Sequence, residues 1–384
     1  MTNAPNFLPL GNMPLYWRVS STRDKSNQTI PSRYVFQFEN GNAQGLIRQV
    51  IQPGLLEILE DVYNAEHNVG YLQDGHMFSK GYGDDLLAFI SRVTTDKSVR
   101  NAVEIGCGGC YVLERLAAKG IKVMGVDPSP IAAAKGQEKG IRIISDFFPS
   151  KEISEKFDLI LEADVLEHVA NPIEFLRVQK AHLTGHGVII ISVPDCTGSI
   201  AMGDVSMALH QHLNYFDTCS LALTVQAAGL TIEAIEPAKY GGSLYCCASL
   251  SPQNASVPSN NLDIRALEFA QRAERNLSRF RATLDTLAEC GRSVGFYVPL
   301  RAAPYLAHKP STDQYRFFDD TPHWHHQYID GLDQPIENFA ELHADPVDEL
   351  FIMSLTFGDV IKNKVISAGI PSKVVVLPEF LSDD

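Results

Sequence analysis

One stretch, Val103 to Pro128, restricts most strongly how this chain can fold. It reads V-E-I-G-C-G-G-C-Y-V-L-E-R-L-A-A-K-G-I-K-V-M-G-V-D-P. A short apolar run ends in a glycine-rich turn, an amphipathic segment follows, and a second apolar run closes on Asp127. This is the pattern of a strand, a turn, a helix and a parallel strand. The glycines let backbone approach a ligand closely, and an acid about 20 residues past the turn can accept hydrogen bonds from ribose hydroxyls. The stretch therefore reads as a socket for a nucleoside.

Alternating strand and helix signals extend the unit. Strands are expected at Ala102–Ile105, Lys122–Val126, Ile141–Ile144, Phe157–Glu162, Val188–Val193, Thr231–Ile235 and Ser243–Leu250. Helical patterns separate the early ones, which implies parallel pairing with right-handed crossovers. Before this unit, Tyr34–Glu39 alternates like a strand and Gly54–Tyr63 reads as a helix. Tyr63 to Tyr82, rich in Tyr, His and Gly, fits either a lid or a packed connecting loop ahead of a helix over Asp84–Val93. Ser251–Asn261 is polar and rich in Pro and Ser, as linkers are. A long amphipathic helix, about Leu262–Cys290, opens a third region with strand signals at Ser293–Tyr297, Arg316–Phe318, Glu349–Ser354 and Lys373–Leu377. The expected organisation is an N-terminal region (1–60), a central domain (61–250), a linker (251–261) and a smaller C-terminal α/β domain (262–384).

Composition narrows the function. The formal charge of −14 argues against a general nucleic-acid or anionic-membrane surface, which needs clustered Lys and Arg. No apolar run approaches the ~18 residues of a membrane span. All seven cysteines lie at or after Cys107 without a disulfide-like framework, so a cytoplasmic, reducing setting is expected. A small-molecule substrate and a monomer or homodimer are the expected partners.

Four features follow in order. Glu104, Gly106, Cys107 and Gly108 form the first turn. Asp127 and Pro128 end the second strand. Asp146 and Phe147 follow the third, where an acid can accept from an adenine amino group and an aromatic can cover the ring. Glu162 ends the fourth. The opening Glu104 favours a ligand with a charged amino-acid tail over a dinucleotide. This set resembles class I S-adenosylmethionine (SAM)-dependent methyltransferases, and Val165–Pro172 (V-L-E-H-V-A-N-P) is also common there. The resemblance implies a Rossmann-like seven-stranded sheet with SAM as cofactor. It assigns the turn to the amino-acid tail, Asp127 to ribose, Asp146 to adenine and Glu162 to the neighbourhood of the methionine moiety. Cys110 stands where the family often has a third glycine. Cys107 and Cys110 are formally C-x-x-C, but no second pair completes a zinc site, and no metal ligand set is expected.

Two further segments, Leu209–Phe216 (L-H-Q-H-L-N-Y-F) and Tyr240–Leu244 (Y-G-G-S-L), resemble sugar C-methyltransferases, which modify nucleotide-linked keto-deoxysugars. So do Phe318-Asp319-Asp320, Phe357–Lys364 and Val375–Phe380. The resemblance implies that His212 is the general base that removes a proton next to the sugar ketone, with Ser243 contacting substrate. Leu209, Gln211 and Tyr240 depart from the family pattern, and no cysteine module precedes Cys107. Methylation at O or N, or SAM binding without catalysis, therefore remains open. His168, His210, Tyr215 and Tyr71 are further candidates for the substrate pocket. His323, His325 and His326 lack regular helix-face spacing and read as a polar loop near a domain interface.

Overall fold

The computed structural model describes residues 7–15, 19–22, 30–41, 44–64, 77–251 and 262–382. Tyr71 and nearly all of the expected linker lie outside them. The chain opens with β1 (Leu8–Pro14), β2 (Val19–Ser20), β3 (Arg33–Asn40) and β4 (Ile47–Gln49). The central strands are β5 (Asn101–Ile105), β6 (Lys122–Val126), β7 (Arg142–Ile144), β8 (Phe157–Ala163), β9 (Leu183–Pro194), β10 (Asn214–Tyr215), β11 (Thr231–Pro237) and β12 (Ser243–Ser249). The last third supplies β13 (Val294–Tyr297), β14 (Tyr315–Phe318), β15 (Tyr328–Ile329), β16 (Ile336–Glu337), β17 (Glu349–Ile352) and β18 (Lys373–Val376).

Seven strands form the central sheet in the order β11-β12-β9-β8-β5-β6-β7. The five from β9 to β7 are parallel, and β12 is antiparallel to both its neighbours. This is the Rossmann-like order of a methyltransferase sheet. The strand sequences suit it. Val188, Ile189, Ile190, Ile191 and Val193 are at most 1% exposed, as expected of a strand covered on both faces. Each such side chain contributes roughly 1.5–3 kcal/mol by leaving water. Local chemistry sets the crossovers. Ser129 caps the helix Pro130–Lys139 by accepting from Ile131 N–H, with Pro130 at its first position and left-handed Gly140 at its end. Asp217 and Ser220 make a reciprocal capping box on Thr218–Ala227.

A second parallel sheet, β16-β14-β13-β17-β18, forms the C-terminal body. It is joined to the rest by the helix Leu262–Glu289, whose buried Phe269, Ala273, Leu277, Phe280 and Leu284 recur at helical spacing. These share one apolar cluster with Phe36 and Phe38 of β3, Tyr215 of β10, and Phe296 and Phe351 of the C-terminal sheet. The N-terminal strands are thus not a separate region. Their four-stranded sheet, β1-β3-β4-β10, borrows its last strand from the central domain. β2 likewise pairs with β15 of the C-terminal body.

Candidate active site

The C-terminal ends of β5, β6 and β8 converge, the usual ligand position of an open parallel sheet. Gly106 N–H donates to Val126 O at 2.8 Å and ties the turn to the end of β6. Gly106, Gly108 and Cys110 all have positive φ, at 70°, 44° and 59°. A Cβ on Gly106 would lie 2.6 Å from Val165 Cγ2, so the turn presses directly against the segment after β8. Cys107 turns inward, since a Cβ on Gly125 would fall 2.4 Å from its sulfur. Only its main chain is left for a ligand.

Glu104 is 5% exposed, and its Oε2 has no hydrogen-bond partner. Burial raises its carboxyl well above the ordinary range; Cys110 and Asp127 add to this, while the Leu113 N–H opposes it. Asp127 is oriented by two backbone donors, Gly108 N–H at 2.9 Å and Ser129 N–H at 2.8 Å. Burial raises its pKa and those two bonds lower it. Each carboxylate oxygen keeps a second lone pair for a hydroxyl. Asp146 accepts from Phe147 N–H at 2.8 Å, and Phe147 leaves 39% of its surface exposed at the end of β7. The residues fit a nucleoside with an ammonium-bearing tail: an unpartnered buried oxygen, an oriented acid and an uncovered aromatic lie on one sheet edge.

Glu162 does not join them. It is 1% exposed, accepts from Gln179 Nε2 at 3.0 Å, and is raised to about 8 by burial. It lies on the face of β8 covered by the helix Pro172–Ala181, which carries Gln179. Asp164, two residues on, takes its place in the cleft. Its φ is 55°, it keeps solvent-accessible surface, and enough protein encloses it to raise its carboxyl to about 6.

Past Asp164, the 3-10 turn Leu166–His168 brings His168 beside His212, with ring centroids 5.0 Å apart. Both are partly exposed. Burial lowers His168 to about 4, against the pull of the Gln211 and Asp164 carbonyls. Burial, then His168 and Arg301, hold His212 well below the ordinary histidine value. Two bonds fix the pair: Leu213 N–H donates to Glu167 O at 2.7 Å, and Asn214 Nδ2 donates to Val169 O at 2.8 Å.

His210 and Tyr215 are both 0% exposed and have no surface for substrate. His210 packs edge-on against Tyr34 and Phe36, with Nε2 3.3 Å from Met13 O. The Tyr215 hydroxyl bonds the backbone of Leu209. The cause is the borrowed strand: pairing β10 with β4 buries these side chains under the N-terminal sheet, a long-range contact that local pattern does not reveal. Ser243 starts β12 opposite Pro194 and is partly exposed. His323, His325 and His326 do not gather. His325 Nε2 lies 3.0 Å from Asp319 O, and His326 faces Glu341 at 3.7 Å.

Sequence reading placed Asp164 at the end of the fourth strand and Tyr82 among the tyrosines that could line a pocket, but gave Glu167 and Arg301 no role. Glu167 sits within the V-L-E-H run and could have been found there. Exposed Arg301 comes from the C-terminal body, close enough to act electrostatically on both His212 and Tyr82. Tyr82 stacks edge-on with Tyr240 at 5.3 Å, and Tyr240 meets Phe357 at 6.4 Å. Gly241, φ 84°, lies against Tyr82; a Cβ there would be 1.8 Å from the ring. The cleft is therefore walled by both bodies.

Residues 76–235 match a family described as a methyltransferase domain. These residues form a methyltransferase domain on a Rossmann-like sheet, the kind that uses SAM as methyl donor. Among curated relatives, the ubiquinone biosynthesis O-methyltransferase of Azorhizobium caulinodans is 35% identical over 97 residues, 23% of this chain and 38% of that protein. Its namesake from Methylobacterium sp. is 29% identical over 149 residues, 34% of this chain and 59% of that protein. The matches thus span less than two thirds of these relatives' length. Among solved structures, the 1,6-didemethyltoxoflavin-N1-methyltransferase of Burkholderia thailandensis covers 58% of this chain and 97% of its own, with TM-score 0.42 and 16% identity. Among the described residues no helix is long and apolar enough to cross a membrane.

Proposed function

We propose that this protein transfers the methyl group of SAM to a small-molecule acceptor held between the central domain and the C-terminal body. One observation carries the reading: the glycine turn touches Val165, so the cofactor socket and the Asp164–His168–His212 face open into one cleft. SAM, when bound, supplies an electrophilic methyl on a sulfonium, and the chain's work is alignment and proton removal. Glu104 takes the tail ammonium, Asp127 the ribose hydroxyls, and Asp146 with Phe147 the adenine. His212, kept neutral by its surroundings, can accept the acceptor's proton. Arg301 stands where it can hold negative charge, either an enolate oxygen or a phosphate.

The acceptor we favour is a nucleotide-linked sugar methylated at the carbon beside a ketone. The His212 segment, the Tyr240–Leu244 turn and an α/β body at the cleft mouth support it. O-methylation is the second reading. The depressed basicity of His212 favours it, because an O–H is far easier to deprotonate than a C–H, and the curated relatives carry O-methyltransferase names.

Thermal shift with SAM and S-adenosylhomocysteine tests the first part, and no shift with either would end the methyltransferase reading. Tandem mass spectrometry of nucleotide-linked keto-sugars incubated with enzyme and SAM tests the second. A methyl located on carbon supports the favoured acceptor, one on oxygen the alternative, and no methylated sugar removes both sugar assignments. Arg301→Met should raise KM for an anionic acceptor roughly 10–100-fold, the worth of a hydrogen bond to a charged group. SAM affinity should stay unchanged; an unaltered KM would take Arg301 out of acceptor binding.

A further inference from the structure

We propose that Glu167, His168 and His212 bind a divalent transition-metal cation, with Asp164 on the side open to the cleft. One ligand atom from each of the three lies within 4.8 Å of the others. Glu167 is 1% exposed, and neither carboxylate oxygen has a hydrogen-bond partner. A buried carboxylate without donors is costly, and a cation at this point removes the cost. The neighbouring acid, Asp164, is close enough to act on the Glu167 charge. On the cationic side, Arg301 acts on His212.

The histidine geometry points the same way. His168 Nδ1 lies 2.8 Å from Gln211 O and 3.0 Å from the Tyr63 hydroxyl. A carbonyl only accepts, so the short contact to Gln211 O, the stronger of the two carbonyls acting on this ring, puts the proton on Nδ1 and leaves the Nε2 lone pair. That lone pair lies 3.7 Å from Glu167 Oε1, too long for a hydrogen bond. It is close to the roughly 3–3.5 Å that separates two ligands bound at about 2.1 Å to one ion. An imidazole whose other nitrogen donates to a carbonyl is the tautomer that metal sites use. The scaffold is rigid, since the Leu213–Glu167 and Asn214–Val169 bonds lock the two ligand-bearing segments together.

Two imidazoles and one carboxylate suit zinc, manganese, iron or cobalt better than magnesium or calcium. The open side faces the acceptor, so the ion could hold an acceptor oxygen and lower its pKa. This site goes beyond the proposed function, in which metal-free His212 keeps its lone pair for the acceptor's proton; with the ion bound that lone pair is taken, and the ion acts instead by lowering the pKa of the acceptor oxygen. It also departs from the sequence expectation of no metal, because its ligands come from two segments more than forty residues apart.

The test is titration of metal-free full-length protein with Co²⁺, read by visible ligand-field absorption and calorimetry. One Co²⁺ per chain with ligand-field bands is expected. Glu167→Gln and His168→Ala should each weaken binding by at least about 100-fold, beyond the loss typical of outer partners. Circular dichroism and the SAM thermal shift check their folding. Absence of bands in wild-type protein that still shifts with SAM overturns the metal site and leaves the methyltransferase reading intact. Bands that survive both variants also overturn it. Bands lost in the variants, from protein that never responds to SAM, support the metal site and sink the cofactor assignment instead.

Discussion

Replacing His212 by alanine is expected to lower turnover by about 10²–10⁴-fold while SAM binds with unchanged affinity. The magnitude is that of a positioned proton acceptor. The separation follows from place: His212 faces His168 and Arg301, whereas the residues proposed to hold SAM lie on the turn after β5 and past the ends of β6 and β7. His210→Ala is the informative contrast. His210 is wholly buried against Tyr34 and Phe36, so its loss should lower melting temperature through a cavity under the N-terminal sheet, not through chemistry. Single-turnover kinetics beside a thermal melt separates the two. Near-wild-type turnover in His212→Ala would remove that residue from the reaction.

Gly106→Val is expected to abolish measurable SAM binding, a loss of at least about 100-fold. The backbone there has φ 70°, and strain for a β-branched residue in this region is of order 1–3 kcal/mol. A Cβ would also meet Val165 Cγ2 at 2.6 Å, pushing the turn off the cleft-forming segment. Gly120→Ala isolates the strain. Its φ is 82°, but nothing lies within 4 Å of the added carbon. It should cost about 1 kcal/mol of stability and leave SAM affinity untouched. Calorimetric titration of both variants is the check; equal affinity losses would mean that contact with Val165 plays no part.

Much of the fold was legible because its signals are local. The run Val188–Val193 had to be a doubly covered strand, and the Gly106–Gly108 turn had to sit between two parallel strands with Asp127 at the end of the second. The two expected sheet-end acids Glu104 and Asp127 stand beside that turn, while Glu162 is covered by the helix that carries Gln179. His210 and Tyr215 misled for a different reason. Their segment looks like a loop over the cleft, yet β10 joins a sheet whose other strands lie more than 160 residues earlier. Arg301 carried no local signal at all, since only the docking of the C-terminal body brings it beside His212.

By itself, the sequence determined the layered α/β plan and the glycine turn with its sheet-end acids, and it singled out the histidine-bearing segment. Each depends on spacing within a few dozen residues: hydrophobic period, glycine freedom and capping chemistry. Tertiary structure alone decided which side chains face the cleft. Burial by a borrowed strand removed two candidates. Packing of one turn against another brought Glu167, His168 and His212 together. Closure by the second body supplied the cation, because proximity across the chain is set by core packing and not by neighbours in sequence.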